Sequence, residues 1–175
     1  MELNQLFKER RSVRRYKDVA IPSKDIAEIV KASQQAPSWK NMQSARFYAA
    51  NTPESKAAVM ACLPDFNQNN SRNASYIVTT FKKGLSGRKT PTEMSPEGDY
   101  WGAYDLGLNN SYLVLKAKEL GYDTLIMGLR DTDALRKVFD IPEDEMILPV
   151  IALGVREGST LYRERNSVEQ VLTIK

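Results

Sequence analysis

Residues 100–120 constrain this chain more than any other stretch. Tyr104, Leu106, Leu108, Leu113, Val114, Leu115, Ala117 and Leu120 recur there at helical spacing and cover most faces of a helix. A helix apolar nearly all round has to be covered on more than one side, by a core or by a second subunit. Gly121 follows it and can adopt the left-handed conformation that ends a helix. The rest of the chain is expected to assemble around this element.

The other elements do not alternate regularly. A short helix is expected over 2–9, with Leu3, Leu6 and Phe7 on one face. A second opens at Pro22-Ser23, with Ser23 as N-cap and Asp25 in the first turn, and stops before Pro37. Residues 37–44 read as a polar loop, 45–51 as a strand, and Thr52-Pro53 as the start of a helix to about 62. A polar stretch over 67–73 precedes a strand at 75–82. Residues 83–98, with three glycines and two prolines, are the longest irregular segment and suggest a lid-like loop. A strand at 123–128, a helix at 132–139 capped by Asp131 and an apolar strand at 146–155 complete the pattern. Helices cluster early and strands are few. The pattern favours an α+β layer fold, with a central sheet flanked by helices, over a doubly wound one. With 175 residues the chain is expected to form one domain over 1–175. Its tail at about 166–175 is free to be exchanged with a partner.

Composition narrows the chemistry. Histidine is absent and Cys62 is the single cysteine. Ser-His-Asp and Cys-His catalysis, histidine metal sites, cysteine clusters and intrachain disulfides are thereby excluded, and no metal site is expected. Any enzyme chemistry has to lean on a cofactor or on carboxylates. No GxGxxG or GxxxxGK[ST] follows a strand, so neither a Rossmann nor a P-loop site is indicated. The net charge of +3 is too small to argue for nucleic acid. The N-terminus is polar, and no run approaches the ~18 apolar residues of a membrane span. A cytoplasmic protein is the expectation.

Three constellations carry candidate chemistry. In Arg10-Arg11-Ser12-Val13-Arg14-Arg15-Tyr16, arginine forks match phosphate oxygens and the serine adds a hydroxyl. If the segment is extended, Arg10, Ser12 and Arg14 share a face while Arg11 and Arg15 point elsewhere. Taken alone, it reads first as a solvated basic patch or a nonspecific RNA contact. Pro37-Ser38-Trp39-Lys40-Asn41-Met42-Gln43 offers amides able to read a heterocycle edge, but alone is an ordinary polar loop. Arg163-Glu164-Arg165 could complete an anion site or form a salt-bridged surface.

Together these motifs resemble the nitroreductase family of flavoproteins, over about residues 3–165. The family's Arg-x-Ser-x-Arg/Lys-x-Phe/Tyr segment is matched by Arg10 to Tyr16, and its Ala-Pro-Ser-x-x-Asn-x-Gln loop by Ala36 to Gln43. Asn67 precedes Ala74-Ser75-Tyr76-Ile77, Leu120-Gly121-Tyr122 ends the long helix, Gly128 ends a strand, and Leu153-Gly154 closes another ahead of Arg163 and Arg165. The order and spacing are more specific than any one motif.

The resemblance implies a mostly antiparallel sheet flanked by helices, a buried dimer helix, and a homodimer with two FMN sites at its interface. It implies Arg10, Ser12 and Arg14 on the FMN phosphate and ribityl chain, closed by Arg163 or Arg165, with Arg11 towards the ring. Pro37, Ser38 and Trp39 would line the ring from the partner chain, with Asn41 nearby. Asn67 would bond the pyrimidine side, and Met127 and Gly128 would lie near N5. Many members carry an acidic residue where this chain has Met127, and the helical excursion of larger members is reduced to roughly 83–99. The implied activity is a ping-pong transfer of a hydride from NAD(P)H, through the flavin, to a small electron-poor acceptor, with no protein nucleophile. Two alternatives stay open: a flavin-storage, dehalogenating or flavin-cleaving relative on the same fold, and an RNA-binding module built on residues 10–16.

Overall fold

The computed structural model describes residues 2–175. Four strands form one sheet in the order β1-β2-β6-β5: β1 (Ala45–Ala50), β2 (Ser75–Lys82), β6 (Glu145–Gly154) and β5 (Asp123–Met127). Every neighbouring pair is antiparallel. A small hairpin, β3 (Arg88–Thr90) with β4 (Glu93–Met94), stands apart from it.

Both faces of the sheet are covered, and the side-chain alternation of the strands shows how. Tyr76 and Val78 of β2, with Val150 and Ala152 of β6, join a core with Val59 of α3 (Pro53–Ala61) and Leu135 of α6 (Thr132–Phe139). Ile77 of β2, with Ile151 and Leu153 of β6, packs on Ile26 and Ile29 of α2 (Ser23–Ser33) and on Leu113, Val114 and Ala117 of α5 (Tyr100–Glu119). The result is the expected α+β architecture in three layers.

Pro149 sits within β6, where a missing N–H would ordinarily break a ladder. The register of β2 against β6 shifts between Val78 and Thr80 at this point, and the Thr79 hydroxyl donates to the Pro149 carbonyl at 3.0 Å. The strand β5 pairs only with residues 150–154 of β6, so the proline costs the other edge no ladder bond.

The long helix differs from expectation in one respect. It buries Asp105, Asn109, Asn110 and Lys118 together with Leu106, Leu113 and Ala117, while Tyr100, Tyr104 and Tyr112 are exposed. Several of its polar side chains find partners inside: Asn109 Nδ2 donates to Asp105 O at 3.0 Å, Asn110 Nδ2 to Thr79 Oγ1 at 3.3 Å, and Lys118 pairs with Asp123 at 3.2 Å. The apolar count thus overstated its symmetry. The helix ends as expected, at Gly121 with a φ of 88°. Tyr122 N donates to Ala117 O and Gly121 N to Lys118 O, the two bonds of a Schellman cap.

Three local readings are corrected. Ser23 is the first helical residue and Pro22 the N-cap, because Asp25 N is satisfied by the Pro22 carbonyl and no side chain caps the end. The polar stretch at 67–73 lies partly in a helix, α4 (Asp65–Ser71), which propensity disfavours but which buries Asn67 and Ser71. Residues 83–98 are a held segment. Asp99 accepts from Gly84 N at 2.6 Å, Arg88 reaches the carbonyls of Gly84 and Pro91, and Trp39 Nε1 donates to Arg88 O at 2.9 Å. Short helices at α1 (Leu3–Glu9) and α7 (Val168–Val171) complete the chain.

Candidate functional site

Residues 12 and 13 meet the free edge of β5, and residues 15–17 pair with the chain just beyond β6. Val13 N donates to Thr124 O and Lys17 N to Val155 O, both at 2.9 Å, and Glu157 N returns to Arg15 O at 3.0 Å. Val13 and Tyr16 are the anchors. Both are buried, and the Tyr16 hydroxyl donates to Val13 O at 2.9 Å. The Tyr16 ring packs over Gly154, where a Cβ would lie 2.7 Å from its Cδ1. Anchoring at positions three apart breaks the strict two-residue alternation of a strand.

That break changes which arginines face the site. A cavity of about 450 Å³ is lined by Arg10, Arg11, Ser12, Arg14 and Arg15 from this strip, and by Glu157, Ser159, Thr160, Leu161, Arg163 and Arg165 from the chain after β6. The expectation that Arg11 and Arg15 point elsewhere is therefore corrected. The two arginine clusters, about 150 residues apart in sequence, meet because Tyr16 bridges to Arg156 at the end of β6.

The side chains around the cavity are braced by backbone. Arg11 donates to Arg10 O at 2.8 Å, Arg14 to Ser12 O at 3.4 Å and Arg165 to Arg163 O at 2.7 Å. The Arg11 guanidinium lies 4.8 Å above the ring centre of Tyr162. Burial first, and then Arg165 and Arg11, lower the Arg10 pKa from its ordinary value. Such a concentration of positive charge around hydroxyls favours a phosphate or another oxyanion.

The other sequence candidates lie outside this cavity. Ser38 Oγ accepts from Gln43 N at 3.0 Å and fixes the loop that Pro37 begins. Trp39 N donates to buried Asp105 at 2.9 Å, and its ring lies tilted against that of Trp101, 4.8 Å between centres. Asn41, with a φ of 57°, is exposed. Asn67 is buried and donates from Nδ2 to Leu129 O at 2.9 Å, so it holds the chain just beyond Gly128. Gly128 is exposed, and its carbonyl accepts from Arg130. Met127 is sealed in the core beside Val13 and Leu125, which leaves its side chain turned from the surface. The structure thus gathers Arg10, Arg11, Ser12, Arg14, Arg163 and Arg165 at one place. Pro37, Ser38, Trp39, Asn41, Asn67, Met127 and Gly128 do not line the cavity.

Sequence reasoning missed Arg15, Glu157, Ser159, Thr160 and Tyr162. Only the turn residue Gly158, with a φ of 72°, signals that the chain after β6 folds back towards residues 10–15.

The profile of the Nitroreductase family matches residues 7–155, most of the chain and all of the sheet. The chain belongs to the nitroreductase family. Within it, the chain is 27% identical to the Bacillus subtilis protein YdgI, provisionally named an NAD(P)H nitroreductase, over 91% of either chain. It is 25% identical to a protein of Staphylococcus haemolyticus named NADPH-dependent oxidoreductase, covering 85% of this chain and 62% of that one. Solved structures share the fold. A provisionally assigned nitroreductase from Exiguobacterium sibiricum, in complex with FMN, superposes with a TM-score of 0.88 at 23% identity, over 100% of this chain and 98% of that one. A nitroreductase family protein from Streptococcus pneumoniae gives 0.86 at 18% identity, over 99% and 100%.

Proposed function

We propose that this chain is an FMN-dependent oxidoreductase that moves a hydride from NAD(P)H to an electron-poor acceptor such as a nitroaromatic or a quinone. The observation that carries the reading is the arginine cavity, in which two distant basic segments of a nitroreductase-family chain line one space. Its residues fit a flavin phosphate. Arg10, Arg14, Arg163 and Arg165 supply guanidinium forks, and Ser12, Ser159 and Thr160 supply hydroxyls.

The bound flavin would supply the hydride acceptor and donor in alternation, chemistry for which the protein has no side-chain substitute. The chain's own part is to hold and orient. Residues 10–14 would hold the anionic end, with Arg11 and Arg14 braced on the carbonyls of Arg10 and Ser12. Gly128 leaves open backbone at the end of β5, a position without a side chain to obstruct a planar ring.

A homodimer belongs to the same proposal. One copy lines the cavity with charge and hydroxyls, and among the described residues Leu161 is its only large aliphatic wall. The loop with Pro37, Ser38, Trp39 and Asn41 would then supply a ring wall from a second copy. Exposed apolar residues support this: Leu3 and Phe7 on α1, Tyr104 on α5, and Val168, Val171 and Ile174 in the tail.

The test is to load the purified protein with FMN, record its visible spectrum, and add NADH or NADPH anaerobically. Bleaching of the flavin band, with colour restored by a nitroarene or quinone, is the expected result. A colourless protein that takes up no FMN would overturn the reading.

A further inference from the structure

The cavity carries more positive charge than a flavin phosphate can balance. Six arginines line it against one carboxylate, Glu157, which leaves five net positive charges. A phosphate monoester offers roughly −1.5 to −2 at neutral pH. Among the described residues none of the six is in an ion pair, since the seven pairs present all lie elsewhere. Arg11, Arg14 and Arg165 turn to backbone carbonyls, which brace them without neutralising them. Like charges lining one cavity repel one another, so the surplus points to a second anionic group.

The rim adds a second observation. Tyr162 lies between wall residues Leu161 and Arg163, is 59% exposed, and carries the Arg11 guanidinium 4.8 Å above its ring. A guanidinium stacked on a phenol presents a flat polarisable surface, suited to a purine. Arg15 also lines the cavity, at a position that the Arg10, Ser12, Arg14 alternation does not use.

We infer that this cavity receives the adenosine end of the nicotinamide donor beside the flavin phosphate, and that the donor is NADPH. Arg15 faces the 2′-phosphate, and the Arg11–Tyr162 stack seats the adenine. The inference rests on the flavin reading above and goes beyond it by naming the donor and the residues that select it. Glu157 is suited to a ribose hydroxyl, which either nicotinamide offers, so discrimination falls to the arginine.

The experiment titrates the FMN-loaded protein calorimetrically with adenosine 2′,5′-bisphosphate and, separately, with adenosine 5′-monophosphate. FMN content is read from its absorbance before either probe is added, so a failure to load flavin is seen apart from a failure of this inference. The bisphosphate is expected to bind roughly 10- to 100-fold more tightly, the worth of one charge-assisted contact. Arg15→Gln, compared at equal FMN occupancy, should erase the difference, and Arg15→Lys should keep most of it. In turnover, Arg15→Gln should raise KM for NADPH more than KM for NADH. Equal affinity for the two probes in the unaltered protein would overturn the inference. So would a protein that takes up FAD in preference to FMN, since the surplus charge would then serve the flavin's own second phosphate.

Discussion

At the residue scale, Tyr16 and Gly154 decide whether the arginine strip is held. The ring of Tyr16 lies where any side chain at 154 would have to go. Gly154→Ala should therefore push Tyr16 off β6 and cost roughly 1–3 kcal/mol, seen as a lower Tm. Because the Tyr16 hydroxyl also ties Val13, the same variant should bind FMN more weakly in an absorbance titration. Two other tyrosines predict an alkaline limit. Burial, and then a hydrogen bond to Glu145, push the Tyr48 hydroxyl up to about 12; burial and Asp25 do the same for Tyr122. A hydroxyl whose folded pKa is raised gives stability that is fully present below its unfolded value, about 10, and is lost as pH rises through the folded value. Chemical denaturation should show little contribution of these two groups to pH dependence below about pH 10 and falling stability towards pH 12. Replacing both by phenylalanine should make that fall shallower, since burial also raises the Tyr16 and Tyr76 hydroxyls. If the double variant falls as steeply as the parent, other groups set the limit.

At the element scale, the helix ends show how local chemistry fixes the layers. Thr52 caps α3 with a reciprocal pair: its Oγ1 accepts from Ser55 N at 3.2 Å, and Ser55 Oγ accepts from Thr52 N at 3.1 Å. Thr52→Ala should lower stability by about 1 kcal/mol, measured by urea unfolding, without changing flavin content. The start of α3 and the Schellman end of α5 were legible in the sequence, since Thr-Pro and Leu-Gly specify their own backbone. The helix at Asp65–Ser71 was not legible. Its run of asparagines is a poor helix former, and it exists because Asn67 and Ser71 find buried partners at Leu129 O and Asn67 O.

At the scale of the whole molecule, the arginine cavity trades stability for binding. Relieving the repulsion around Arg10 by Arg165→Gln should raise the Tm of the flavin-free protein slightly, while weakening FMN binding. Conversely, FMN at about 100 times its Kd should stabilise the unaltered protein by about 2.7 kcal/mol. That is roughly 5–10 °C in Tm for a chain of this size. An Arg165→Gln protein that kept the full FMN-induced shift would remove that arginine from the site. Inorganic phosphate should reproduce part of the shift, through the charged end alone.

The sequence by itself determined the layers and most element boundaries, because strand alternation, caps and the Leu-Gly stop are short-range instructions. It also marked both basic segments and the family to which they belong. Only the tertiary structure decided that the two segments meet, since nothing local in Arg10 to Arg15 specifies a partner at Arg163. The meeting depends on the edge of β5 being free and on Tyr16 bridging to the end of β6. The structure also decided that Arg11 and Arg15 face the cavity. Buried anchors three residues apart, at Val13 and Tyr16, override the period of two that an extended segment would otherwise impose.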